Sequence, residues 1–161
     1  MHMAVRLEGT LAERGDVPLG DRCPIDRTLR LVGNRTAVLL LREAFYGATR
    51  FDQLWRRAGV TEAVAAQRLR ELVAAGVLEK QPYRDPGQRT RHEYVVTAAG
   101  HDLMPVVLGL LQWGAAHAPV GPAPLVTHAG CGAEARAVVR CAAGHDMDEA
   151  GLVIAGTGSS R

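Results

Sequence analysis

The sequence predicts a mainly α fold with one β-hairpin, an α+β arrangement, followed by a small separate module. Three observations carry that prediction. Apolar residues recur at helical spacing from about residue 24 to residue 75, with glycines closing successive runs. Over residues 77–96 the spacing shortens to about two, the period of a half-buried strand pair. A Pro- and Gly-rich stretch at 119–124 then separates a long apolar segment from a last stretch bearing cysteines and histidines.

Composition bounds the reading. The chain has 161 residues, 47% hydrophobic and 22% charged, which suits one ordinary domain with an appendage and excludes wholesale disorder. It has no run of eighteen apolar residues, and Met1-His2-Met3-Ala4-Val5-Arg6 lacks a charged region followed by an apolar one. Neither a membrane span nor a secretory signal is expected. Three cysteines do not make a disulfide-stapled scaffold, so a cytoplasmic protein is expected.

The elements follow in order. Residues 1–20 have weak periodicity and several glycines, and read as a flexible arm. The next domain spans residues 21–118. Pro24 sits at an early helical position, where its missing N–H costs little, and Ile25, Leu29 and Val32 share a face until Gly33. Asn34 is a good N-cap for a second helix to Tyr46, with Val38, Leu41 and Phe45 on one side. Thr49-Arg50-Phe51-Asp52 has capping-box spacing and opens a short third helix burying Phe51 and Leu54. After a tight connection at Gly59-Val60, Thr61 caps a fourth helix, Glu62 to Ala75, with Ala65, Leu69, Leu72 and Val73 as its buried stripe. Val77–Tyr83 and Arg91–Val96 form a hairpin, and Pro82 marks an exposed edge. Thr97 caps a last long helix to about His117, apolar on nearly every side. Residues 119–124 read as a linker, 125–154 as a small module and 155–161 as a disordered tail.

That order is the order of a winged helix-turn-helix, in which the helix after the turn enters the DNA major groove and the hairpin tip lies along the backbone or minor groove. Charge agrees. Between Arg22 and Val96 there are 14 Lys and Arg against 8 Asp and Glu, while the flanks are acidic. The fourth helix leaves Ala63, Ala66, Gln67 and Arg70 outward. Gln67 suits an adenine edge, Arg70 a guanine or a phosphate, and the two alanines suit thymine methyls. Thr61 and the helix N-terminus can hold a phosphate, with Arg50 expected beside them. Arg84, Arg89 and Arg91 supply the hairpin's charge.

Several motifs together resemble a known family. They are Cys23-Pro24-Ile25, Leu31-Val32-Gly33-Asn34-Arg35, Leu41-Arg42-Glu43, Arg50-Phe51-Asp52-Gln53-Leu54, Gln67-Arg68-Leu69-Arg70-Glu71-Leu72, Ala75-Gly76-Val77-Leu78-Glu79, Glu93-Tyr94, Thr97, Gly100 and Trp113. The pattern is similar to the HxlR-type regulators, bacterial winged-helix transcription factors related to the MarR group, over roughly Arg22 to His117. The resemblance implies a homodimer, joined through the N-terminal and last long helices, on a pseudo-palindromic double-stranded operator. No cofactor is implied for DNA binding. The chain departs from the family where Thr61-Glu62-Ala63 replaces the usual Ser-Pro-Arg/Lys, losing a basic residue and gaining an acidic one near the groove.

Cys23 lies at a helix start next to Arg22, a setting that favours thiolate, and in several HxlR-type proteins the cysteine at this position senses oxidants, quinones or aldehydes. A small residue closing the helix turn is the alternative. The effector, whether small molecule or oxidant, is not named by the sequence. In the tail, His128-x2-Cys131 and Cys141-x3-His145 offer the donor types of a tetrahedral zinc site. A metal-free strand pair and a Cys131–Cys141 disulfide are the alternatives. Two other functions compete: a winged-helix protein–protein module, and a thiol enzyme using Cys23 or Cys131. The second lacks a nucleophile turn, a phosphate loop and an acidic pair.

Overall fold

The computed structural model describes residues 5–84, 87 and 90–156. They divide into two compact units, one from Gly20 to Pro124 and one combining the residues up to Leu19 with those from Leu125 onward.

The chain starts with a short strand, β1 (Arg6–Glu8), and a 3-10 turn at Gly9–Leu11. In the larger unit, Gly20–Arg22 forms another 3-10 turn before α1 (Pro24–Val32), which Cys23 caps. Next come α2 (Arg35–Phe45), α3 (Phe51–Ala58) and α4 (Glu62–Ala74). Asn34 Oδ1 accepts from the Ala37 N–H at 2.9 Å, which closes one of the open donors at the start of α2. At the start of α3 the cap is Arg50, one residue later than the Thr49 spacing suggests. Gln53 Oε1 accepts from the Arg50 N–H at 3.4 Å, while the Thr49 carbonyl is committed to the Tyr94 N–H at 2.8 Å.

The core is leucine-built. Leu40, Leu41, Leu54, Leu69, Leu72 and Leu78 are its largest fully buried side chains, joined by Ala37, Ala58 and Ala65. Each such leucine contributes about 1.5–3 kcal/mol relative to an exposed one. The buried face of α2 is thus Ala37, Leu40 and Leu41. Val38 and Phe45, expected inside, are only half-buried, because α3 and α4 pack on the stripe one position away. Phe51 and Val73 are likewise half-buried. On α1 only Val32 is inside, while Ile25 and Leu29 are 70% and 58% exposed.

Strands β2 (Leu78–Tyr83) and β3 (Arg91–Val96) pair antiparallel from Leu78↔Val96 to Tyr83↔Arg91. A single bridge between Arg50 and Glu93 adds the segment before α3 to the other edge of β3. The expected last helix is broken into α5 (Ala98–His101) and α6 (Met104–His117). Pro105 explains the break: it has no N–H to give, and its ring would meet the His101 carbonyl in a continuous helix. Thr97 Oγ1 accepts from the Gly100 N–H at 3.1 Å, and a Cβ on Gly100 would lie 2.2 Å from the Val77 carbonyl oxygen, so α5 packs on the hairpin root only as glycine. The proline-rich residues expected as a linker extend this unit to Pro124.

In the smaller unit β4 (Val139–Arg140) and β5 (Asp146–Met147) form a hairpin, and β6 (Val153–Ala155) pairs parallel with β1 in the register Leu7↔Ile154. This corrects the arm and tail boundaries. Residues 6–8 are a strand of the tail module and Ala155 belongs to its last strand, because Arg6 N–H donates to Leu152 and Gly156 N–H to Glu8 across the pair. None of this unit's described residues is buried.

Candidate nucleic-acid interface

The helix-turn-helix is α3, a three-residue turn and α4. Gly59 takes φ +65° at the end of α3, a left-handed conformation that favours glycine. Thr61 follows as N-cap, its Oγ1 accepting from the Val64 N–H at 3.4 Å. Ala65, Leu69 and Leu72 turn inward. Thr61, Ala63, Gln67 and Arg70 are exposed and Ala66 is half-exposed, as the helical period requires.

The outward side chains are tied to one another. Gln67 Nε2 donates to Glu71 Oε1 at 2.7 Å, Arg70 donates to Gln67 Oε1, and Arg68 pairs with Glu71. The Gln67 hydrogen bond, then that of Arg68, holds the Glu71 carboxyl below the usual carboxylate range. Glu71 was not singled out by the sequence; its i, i+3 and i, i+4 spacing to Arg68 and Gln67 is the signal that would have found it. The network also makes α4 close to neutral, with Glu62 and Glu71 against Arg68 and Arg70.

Positive charge therefore comes from beside the helix. Arg50 is not next to Thr61: it precedes α3 while Thr61 follows its far end, eight helical residues or about 12 Å of rise away. Its guanidinium instead lies 5.0 Å from the Tyr83 ring centre, on the hairpin. Arg84 and Arg91 flank the hairpin loop and are exposed. Arg89 lies outside the described residues. Lys80, the only lysine of the chain, sits 5.5 Å from the Tyr94 ring on the same hairpin. A polar helix face and an arginine-bearing hairpin thus share one small unit.

A family model for the HxlR-like helix-turn-helix matches residues 31–121, more than half of the chain. The chain belongs to the HxlR-like helix-turn-helix family. This HxlR-like protein is 42% identical over 113 residues to Rv3095 of Mycobacterium tuberculosis, an uncharacterised HTH-type transcriptional regulator, covering 69% of this chain and 70% of that one. YybR of Bacillus subtilis, likewise an uncharacterised HTH-type regulator, is 30% identical over 98 residues, covering 60% and 77%. Among solved structures, PA1607, described as a candidate transcription factor, superimposes with a TM-score of 0.70 at 30% identity, covering 81% of this chain and 92% of that one. The redox regulator HypR in its reduced form gives 0.54 at 28% identity, covering 61% and 96%. Such neighbours are winged-helix transcription regulators, and this chain is a transcriptional regulator of the HTH type with their fold. Among the described residues no helix is long and apolar enough to cross a membrane.

The other candidate residues are placed as follows. Cys23 is half-buried; its N–H donates to the Gly20 carbonyl at 3.0 Å and its carbonyl accepts from Arg27 at 3.1 Å, joining the 3-10 turn to α1. In the HxlR-like protein's tail, His128 Nδ1 is 3.2 Å from Cys131 Sγ, and His145 Nδ1 is 3.5 Å from Cys141 Sγ. Each pair spans one turn. The two pairs do not meet: among the described residues no three of His, Cys, Asp and Glu converge as a metal would require. The arrangement does not fit one four-ligand zinc site. No disulfide joins Cys131 to Cys141 either, since all three cysteines are free thiols.

Proposed function

We propose that this HxlR-like regulator binds a pseudo-palindromic DNA operator as a homodimer, in the cytoplasm and without a cofactor. The observation that carries the reading is the outward face of α4, where Thr61, Ala63, Ala66, Gln67 and Arg70 stand clear of the core beside a hairpin carrying Arg84 and Arg91. By side-chain chemistry Gln67 and Arg70 suit base edges, Thr61 and the helix N-terminus a phosphate, and Arg50, Arg84 and Arg91 the flanking backbone, with Arg89 added from the sequence alone.

Dimerisation is supported by apolar surface left exposed on two helices of the larger unit. On α1, Ile25, Leu29 and Leu31 are at least half exposed, and on α6 Val106, Leu110 and Trp113 are 55%, 53% and 63% exposed. No residue of α6 is buried, although it is almost wholly apolar. Burial against a second copy of both helices removes that surface from water. An effector acts on the same dimer. Cys23 caps α1, so oxidation or an adduct there would shift a dimer helix and with it the half-site spacing. The likeness to a redox regulator supports that route.

Genome-wide binding-site mapping, followed by titration of the recovered fragment at increasing salt, tests the reading. Binding to sites with two half-sites about one helical turn apart, weakening steeply with salt, is expected. Absent or salt-insensitive binding would favour the protein–protein module and sink the operator reading. For the sensor route, a Cys23→Ser variant should bind operator but lose its response to diamide.

A further inference from the structure

The ties on the outward face of α4 form a chain with a direction. Arg68 Nη1 donates to Glu71 Oε2, and Gln67 Nε2 donates to Glu71 Oε1 at 2.7 Å, so each carboxylate oxygen already has a partner. At its other end the Gln67 amide accepts, through Oε1, from Arg70 Nη2. Arg68 and Glu71 are half-buried, whereas Gln67 and Arg70 are exposed.

The helical period explains how one glutamine serves both neighbours. At 3.6 residues per turn, Arg70 (i+3) falls short of a full turn from Gln67 and Glu71 (i+4) passes it. The two therefore flank the Gln67 side chain on opposite sides, and its amide lies across the helix face between them. The ties also fix which way round the amide lies. Turned over, it would set its carbonyl oxygen against the Glu71 carboxylate and its N–H₂ group against the Arg70 guanidinium, two acceptors facing at one end and two donors at the other.

An amide has two N–H groups and a carbonyl with two lone pairs, and α4 uses one of each. One donor and one acceptor remain, in a set order across the outward face. Adenine offers the complementary pair in the major groove, N7 to accept and N6–H to donate, whereas thymine offers O4 and a methyl group.

We propose that Glu71 is a specificity-determining positioning residue: by clamping Gln67 in one amide orientation, it makes α4 read an A·T pair of each half-site with adenine on one particular strand. Glu71 touches no base; it acts through Gln67, and Arg68 holds its carboxylate from the inner side. This deepens the operator reading of α4 and rests on it.

The test uses the full chain and the operator recovered by binding-site mapping, with each base pair of one half-site inverted in turn. One A·T inversion should weaken binding about tenfold or more, as expected for a lost bidentate contact. Gln67→Ala should bring that ratio to about one. In Glu71→Gln, checked for folding by its melting curve, the new amide can either accept from Gln67 or donate to it. Both orientations of Gln67 then become available, and the ratio should fall to about threefold or less. A change that merely loosened α4 would weaken both operators alike and leave the ratio standing.

A second readout needs no DNA. In NMR relaxation of the unbound protein the Gln67 Nε2 group, assigned by its loss in Gln67→Ala, should have an order parameter above about 0.6, below which a group is flexible. Its protons should move upfield as acid removes the Glu71 charge. An inversion ratio that survives in Glu71→Gln, no inversion that depends on Gln67, or a flexible Gln67 amide in the unaltered protein would each overturn the proposal while operator binding stands. Failure to bind any operator would instead sink the operator reading, and the proposal with it.

Discussion

The guanidinium of Arg50 lies 5.0 Å from the centre of the Tyr83 ring, joining the residue that caps α3 to the outer strand of the hairpin. A few residues away, the Tyr94 N–H reaches the Thr49 carbonyl at 2.8 Å. Helix-turn-helix and wing are therefore held as one body, and their relative placing on a duplex is set by this seam.

Arg50→Ala should act twice where Arg91→Ala acts once. Loss of the stacked cation costs about 0.5–1 kcal/mol at an exposed site and lowers the melting temperature, whereas Arg91 is exposed on the wing. If both contact phosphates, each removal lowers the slope of log K against log salt by about one. An Arg50→Ala protein with unchanged stability and unchanged slope would disprove the seam.

Two glycines near each other in sequence should respond oppositely to alanine. At Gly100 the added Cβ meets the Val77 carbonyl oxygen, a backbone atom, at 2.2 Å and Val96 Cγ1 at 2.8 Å, so Gly100→Ala should destabilise by about 1–3 kcal/mol. At Gly109, inside α6, nothing lies within 4 Å, and Gly109→Ala should stabilise by up to about 1 kcal/mol through helix propensity. Urea midpoints of the two variants decide; the same sign for both would contradict the packing of α5 on the hairpin root.

The Glu71 carboxyl should titrate below an ordinary glutamate, first because Gln67 donates to it and next because Arg68 does. Its lowered value means that the tie is present above the unfolded value and is lost as pH falls through the folded one. Gln67→Ala should therefore move the Glu71 carboxyl resonance midpoint upward in an NMR titration. A midpoint unmoved by the substitution would show that the α4 network does not persist in solution.

Zinc should be substoichiometric in protein never exposed to metal-charged resin, because the two His–Cys pairs stand as separate donors. Elemental analysis settles it. One equivalent per chain would show that the Cys131 and Cys141 turns close on a common ion.

Much of the fold was legible without coordinates because its signals are local. Asn34, Thr61 and Thr97 can cap only the backbone just after them, and all three do so. The stripe Ala65, Leu69, Leu72 repeats at helical spacing whatever it packs against, and the change of period after Gly76 announces the wing. The exposed face of α4 follows directly, since what is not in the stripe points out.

Tertiary structure alone decided what depends on partners distant in the chain. The union of β1 with β6 brings together Leu7 and Ile154, and three-residue strands carry too little pattern to announce it. Arg50 was legible as a cation, but its place on Tyr83 needed the hairpin to fold back beside α3. Glu43 reads as one more charge on a helix; only the packed unit leaves it buried and paired with Arg42. Backbone caps and periodicity act over a few residues and are written in them, whereas burial and pairing arise when separate segments exclude water from one another.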